Sequence, residues 1–380
     1  MSQFLREAQQ FDTASKLFGK PELKTPADLA TLPVLRKDEF AKKQSVQPPF
    51  GGMTVENASH IFQSPGPIYE PGGITSDWWR FGRFAKAIGI SQEDIVLNTF
   101  SYHFTPAGAM FDSAAVAAGA TVFAAGPGQS TQQAEVAATL GVTTYAGTPD
   151  FLKTILSKAD EHGHDLSRLN KAAVSAGPLF PQLRDEYADR GIVCRQCYGT
   201  AEAGLISYET EDMIDGMIID DDVIVEIVTP GTGDPLPAGE VGEVLVTVLN
   251  PNYPLLRFSV GDLSAIMTEA NACGRPKLVG WRGRADQSAK VRGMFIRPEQ
   301  VARIVDQHPE IDRARLEVST DGDRDQIIVK CETDTQIEDT TALQSTVADV
   351  IKLKAEVVTV ASGELPRDGV VISDLRPVPG

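Results

Sequence analysis

Between residues 94 and 200 the chain alternates short β-rich runs with segments of helical composition, and no other feature narrows the fold as far. The β-rich runs are "DIVLNTF" (94–100), "ATVFAAG" (120–126), "VTTYAGT" (142–148), "KAAVSAG" (171–177) and "IVCRQCYG" (192–199). Between them lie "PAGAMFDSAAVAAG" (106–119), "STQQAEVAATLG" (130–141) and "FPQLRDEYADRG" (180–191), each closing on a glycine suited to end a helix. Such alternation predicts an α/β fold, a parallel sheet with helices on its faces. In sheets of this kind the loops beyond the carboxyl ends of the strands form the ligand site.

The flanks extend that frame. At 380 residues the chain exceeds what one core usually supports, which predicts two domains. Ahead of the alternation, "TPADLATLPVLRKDEF" carries a helix start at Thr25-Pro26 and a second turn at Leu32-Pro33. After it, "DDVIVEIVTP", "GEVGEVLVTVLN" and "YPLLRFSVGDLSAIM" read as strands without a long helix, an antiparallel β-subdomain at about 216–280. The connector "GWRGRADQSAKVRG" (280–293) precedes a helix, two paired strands and a further helix. The expected division is a large domain over 1–283 and a small α+β domain over 284–380.

Charge and cysteine content exclude several roles. With 52 acidic and 35 basic residues the formal charge is -17, which disfavours nucleic acid and anionic membrane surfaces as partners. No run of about 18 apolar residues predicts a membrane span. The opening "MSQFLREAQQFD" lacks the apolar core of a secretory signal, so the cytoplasm is the expected compartment. Cys194 and Cys197 form a C-x-x-C, but within an apolar run, so two side chains on a buried strand are expected rather than a redox or metal pair. His162 and His164, in "DEHGHDLSRLN", are expected to be solvent-exposed in a polar loop before a helix.

Four strand-end loops are candidates for chemistry: "NTFSYHFTPAG", "YAGTPDF", "SAGPLF" and "YGTAEAG". Glycine directly after a strand lets the backbone approach a ligand. Glu202, two residues beyond a small-residue turn, suits a Mg²⁺ that bridges phosphate oxygens. It equally suits a helix start, where its charge would complement the dipole.

Taken in order, these motifs resemble the adenylate-forming enzymes, and their spacing is similar to the phenylacetate–CoA ligase branch over roughly residues 25–376. Tyr198-Gly199-Thr200-Ala201-Glu202 resembles the adenine-stacking aromatic and the Mg²⁺-binding glutamate. Ser175-Ala176-Gly177-Pro178 resembles the loop that lines adenine. Arg257 to Asp262 resembles the segment whose aspartate holds the ribose hydroxyls. Gly283-Arg284-Ala285-Asp286-Gln287, with Lys290 and Val291-Arg292-Gly293, resembles the interdomain hinge.

The resemblance implies an AMP-forming acid–CoA ligase using ATP, Mg²⁺ and CoA, with AMP and pyrophosphate as products and a homodimer as a possible assembly. It gives Tyr198 the adenine face, Glu202 the cation, Asp262 the ribose, Arg284 ribose or phosphate oxygens, Asp286 the pivot and Gly293 passage for the pantetheine arm. Tyr102, His103, Phe104 and Gly147 would line an acyl pocket fitted to an aromatic or otherwise apolar acid, with His103 expected as a packed polar residue.

Two departures stand against that pattern. Where the family has a Ser/Thr/Gly-rich phosphate loop ending near a lysine, this chain has "QSPGPIYEPGG" (63–73). Pro65, Pro67 and Pro71 lack N–H donors, and Glu70 brings negative charge. At the C-terminus the family's Gly-Lys is replaced by Gly369-Val370, and no lysine follows Lys354. Losing a transition-state charge of this sort costs about 3–4 kcal/mol. Three readings follow: a ligase with rewired phosphate contacts through Arg367 or Lys290, an enzyme of acyl transfer only, or a non-catalytic nucleotide- or CoA-binding regulator.

Overall fold

The computed structural model describes residues 26–376 apart from 54, 57, 65–67, 74–76, 178, 212, 251, 286–288, 292–293, 322–323, 336, 338 and 367–369. The chain divides into two compact units. One comprises residues up to Val260 with Ser264–Trp281, the other Gly261–Leu263 with Arg282 onward.

In the first unit a short 3-10 turn over Pro26–Thr31 leads to helix α1 (Lys37–Val46). Strands β1 (Ala58–Ser64) and β2 (Ile68–Gly73) pair as an antiparallel hairpin that sets Phe62 opposite Glu70. The alternation then follows as α2 (Gly82–Ala87), β3 (Ile95–Asn98), α3 (Ala107–Ala117), β4 (Thr121–Ala124), α4 (Ser130–Leu140), β5 (Thr144–Gly147), α5 (Pro149–His162), β6 (Lys171–Val174), α6 (Pro181–Asp189) and β7 (Val193–Thr200). Helix α5 shows why these segments fold as they do. Proline at its first position needs no N–H there, and Gly163 ends it at φ 70°. Leu152, Ile155, Leu156 and Ala159 recur at helical spacing and are all buried.

Strands β3 to β7 pair in parallel, in the order β7-β6-β5-β3-β4. Neighbouring residues face opposite ways. Val96, Ala146 and Ala173 enter one core with Phe84 and Phe111, while Leu97, Tyr145 and Ala172 enter another with Leu152 and Ile155. The same alternation disposes of the C-x-x-C. Three residues apart on β7, Cys194 and Cys197 project into these two different cores and cannot meet.

The chain turns back from β7 into antiparallel β8 (Gly204–Tyr208), followed by β9 (Met217–Ile219), β10 (Val223–Val228), β11 (Gly242–Val248), β12 (Leu255–Ser264) and β13 (Lys277–Leu278). The expected β-subdomain is therefore partitioned. Strands β10-β11-β12 make their own sheet, whereas β9 and β13 join β8 to extend the large sheet to eight strands. His162 closes helix α5 and His164 follows it, so they precede strand β6 and not a helix. His162 is exposed and His164 half-buried.

The second unit has a hairpin of β14 (Ala289–Val291) and β15 (Met294–Ile296), then α7 (Pro298–Asp306), β16 (Arg313–Asp321), β17 (Arg324–Thr333), α8 (Thr341–Ile351), β18 (Glu356–Ala361) and β19 (Ile372–Asp374). Its sheet, ordered β18-β17-β16-β19, packs Val318 and Val329 against Ile304 and Val347 of the helices. No helix among the described residues is long and apolar enough to cross a membrane.

Candidate active site

Parallel pairing puts the loops after β3, β5, β6 and β7 at one edge of the sheet, in the spatial order 201–203, 175–180, 148 and 99–106. The first of these is a tight hairpin. Tyr198, Gly199 and Thr200 belong to β7 itself, with Gly199 opposite Leu205 and Thr200 opposite Gly204. Small residues are obligatory here. A Cβ on Gly199 would stand 2.6 Å from the Gly204 carbonyl oxygen, and Gly204 adopts φ 69° with the Trp79 carbonyl oxygen 2.8 Å from where its Cβ would be. The Ala203 N–H donates to Thr200 Oγ1 at 3.1 Å and holds the turn. Glu202 therefore sits on a β-turn, and the alternative that it caps a helix falls because no helix starts there.

Glu202 is 5% exposed. Lys37, the first residue of α1, brings its Nζ to 2.8 Å from Glu202 Oε1, and apart from this ion pair the carboxylate has no partner among the described residues. Glu70, fully buried on β2, accepts a 2.5 Å hydrogen bond from Ser64 Oγ, while its Oε2 has no partner among the described residues. Burial pushes the Glu70 carboxyl up to about 8; the Ser64 bond opposes that, Glu202 reinforces it and Lys37 opposes it. The structure thus places Glu70 within strand β2 and not in an open loop, and its burial disfavours the charged form. Tyr253, just before β12, buries a hydroxyl with no partner among the described residues. Burial and the charges of Glu70 and Glu202 raise its ionisation well above the ordinary range. Nothing in the sequence singles out Lys37 or Tyr253, which reach Glu202 only through the fold.

This donor set fits a magnesium ion. Mg²⁺ is commonly held by one or two carboxylates, with water and phosphate completing its shell. Glu202 and Glu70 leave buried oxygens without hydrogen bonds, while no group of three metal-ligating side chains occurs among the described residues.

The other loops are more constrained than their sequences suggest. Tyr102 is tied back to the scaffold, its hydroxyl accepting from Asn98 Nδ2 at 2.8 Å and donating to Asp112 Oδ1 at 3.2 Å. Burial and Asp112 raise its ionisation further. His103 is exposed rather than packed, because the loop carries it away from the core. Phe104 is exposed too, at φ 60°, and its carbonyl accepts from the Gln63 N–H at 2.8 Å, which fastens this loop to β1. Gly147 is buried, and a Cβ there would lie 2.1 Å from both Thr99 Oγ1 and the Tyr145 hydroxyl. The loop after β6 is anchored by Ser175 Oγ, which donates to the Cys197 carbonyl at 2.9 Å; Gly177 follows, half-buried.

In the second unit the two ribose candidates meet each other. Arg284 Nη1 donates to Asp262 Oδ1 at 3.1 Å, and the Leu263 N–H bonds the Gly283 carbonyl at 2.8 Å. Gly261, at φ 76°, leaves room for the guanidinium, since a Cβ there would be 2.7 Å from Arg284 Nη2. Pro65, Pro67, Pro178, Asp286, Gly293, Arg367 and Gly369 lie outside the described residues, as does the side chain of Lys290 on β14.

Comparison with known proteins agrees with this architecture. Residues 74–249 match the family model of the AMP-binding enzymes. The phenylacetate-coenzyme A ligase of Thermus thermophilus is 27% identical over 325 residues, covering 80% of this chain and 72% of that protein. Its counterpart from Escherichia coli is 26% identical over 387 residues, covering 93% and 88%. Among solved structures, 2-hydroxyisobutyryl-CoA ligase in the postadenylation state, in complex with 2-HIB-AMP, superposes with a TM-score of 0.75 at 22% identity, covering 98% of this chain and 86% of that one. The amide bond synthetase McbA from Marinactinospora thermotolerans gives 0.61 at 19%, covering 85% and 68%. Residues 74–249 are thus similar in sequence to the AMP-binding enzymes, and the chain shares its fold with these solved ligase and synthetase structures. Over most of its length the sequence is similar to the phenylacetate-coenzyme A ligases.

Proposed function

We propose that this chain is an AMP-forming acid–coenzyme A ligase that takes an aromatic or otherwise apolar carboxylic acid. An oxygen of the acid attacks the α-phosphorus of ATP and the bond to pyrophosphate breaks, leaving an acyl-adenylate. The sulfur of CoA then attacks the acyl carbon, AMP departs, and the thiol proton passes to solvent. The single observation that carries this reading is Glu202. It is a buried carboxylate on the β7–β8 turn, four residues after Tyr198, within the AMP-binding segment.

Tyr198, half-buried on β7, offers a π-face to adenine. Glu202 and Glu70 are the residues that would hold Mg²⁺, which when bound offsets the charge of the phosphates. The Asp262–Arg284 pair has an acceptor and a donor for ribose hydroxyls, which bind by opening it.

The test is pyrophosphate release with ATP, Mg²⁺, CoA and a panel of aryl and other apolar acids. At least one acid should give AMP and a thioester, and Glu202→Ala should abolish both while the variant keeps its melting temperature. Absence of pyrophosphate with every acid would refute ligation. The valine at 370, where the family has lysine, favours a second reading in which only transfer survives. Under it, preformed acyl-adenylate and CoA react although ATP and free acid do not.

A further inference from the structure

The cluster around Glu202 contains more than adenylation chemistry requires of one glutamate. Three segments distant in sequence converge on it. Gln44 of α1 bonds both backbone groups of Tyr69, at 2.8 Å each, which fixes the helix of Lys37 against the strand of Glu70. Phe62, opposite Glu70, sets its ring edge-on to Trp79 at 5.9 Å, and the Trp79 carbonyl accepts from the Leu205 N–H, three residues beyond Glu202. Tyr253 adds an independent sign of a ligand. The residue is 3% exposed, and its hydroxyl has no partner among the described residues although both carboxylates act on it. Buried polar atoms without partners are costly, and among the described residues Glu70 Oε2, Glu202 Oε2 and the Tyr253 hydroxyl have none, while Glu202 Oε1 has only the Lys37 ammonium.

We infer that Glu70 and Glu202 together form a divalent-cation site for which the Lys37 ammonium is the resident stand-in, so that the cation binds without nucleotide. Lys37 already occupies a cation's place, 2.8 Å from Glu202 Oε1. Its side chain is 30% exposed, so it withdraws to water without crossing the core. A divalent cation held between two carboxylates is matched by their two negative charges, so the filled site buries no net charge. The oxygen-only donor set selects Mg²⁺ or Mn²⁺ over softer metals. A second carboxylate also gives a role to a glutamate buried on strand β2 beside the turn whose prolines lack N–H donors. The inference rests on the ligase reading only for the place of Glu202, and the experiment separates the two.

The probe is Mn²⁺ alone, titrated into the full chain without nucleotide and followed by the electron paramagnetic resonance of the free ion. One site per chain is expected. Glu70→Gln should weaken it by roughly tenfold or more, as should Glu202→Gln, while Lys37→Met, which removes the competing ammonium, should tighten it. The inference is overturned if the wild type takes up Mn²⁺ only after nucleotide is added, if Glu70→Gln binds as the wild type does, or if Lys37→Met binds no more tightly. The last comparison stands even if Glu70→Gln does not fold. Pyrophosphate release from a wild type that binds no Mn²⁺ alone would sink this inference and leave the ligase standing. A Glu70-dependent Mn²⁺ site in a chain that releases no pyrophosphate would do the reverse.

Discussion

Glu70→Gln, measured without divalent cation, probes the electrostatics of the buried cluster directly. The wild-type carboxyl titrates at about 8 when folded and near 4.5 when unfolded. Between those values the folded chain holds a proton that the unfolded chain has released, so stability falls as pH rises through this window. The contribution is complete below 4.5 and is lost as pH passes 8. At about 1.4 kcal/mol per tenfold change in proton concentration, the whole interval has a ceiling on the order of 5 kcal/mol. Most of that loss is expected by pH 7.5. Glutamine keeps the shape, accepts the Ser64 hydrogen bond through its carbonyl oxygen and has no proton to lose. Urea unfolding in EDTA from pH 5 to 9, followed by the fluorescence of Trp78 and Trp79, should show the variant's stability falling less steeply, by roughly 1 kcal/mol per pH unit between 5 and 7.5. Parallel pH profiles for the two proteins would refute the reasoning, because they would mean that Glu70 ionises alike in both states.

The other predictions concern the scaffold that shapes the site. Gly147→Ala forces a methyl to within 2.1 Å of both Thr99 Oγ1 and the Tyr145 hydroxyl unless they shift, and should destabilise by about 1–3 kcal/mol; an unchanged melting temperature would show that the loop after β5 gives way easily. Native thiol titration should find one fast group, the exposed Cys273. Burial pushes Cys194 up to about 12 and Cys331 up to about 11, and Cys197 is raised as well, so these three should react only on unfolding. Fast modification of Cys194 or Cys197 would contradict the closed strand.

Much of the frame was legible because its signals are local. Proline at the start of α5, glycine at its end and the 152-155-156-159 apolar spacing need no knowledge of neighbours. The same holds for the odd spacing of Cys194 and Cys197, which the pleat sends to opposite faces. The fate of the stretch at 216–280 was less legible. Its strands look alike in composition, and only pairing partners separate β9 and β13, on the large sheet, from β10 to β12.

What the sequence by itself determined is the alternating strand and helix order, and with it the edge of the sheet on which Tyr198, Glu202 and the other candidate loops stand. Periodicity and turn chemistry act over a few residues, so they can be read without coordinates. Tertiary structure alone decided the company that Glu202 keeps: Lys37, Glu70 and Tyr253 come from segments far apart along the chain and meet only when the core closes. It also decided that the Glu70 carboxyl is raised, because the cost of a buried charge depends on the water its surroundings exclude and not on its neighbours along the chain.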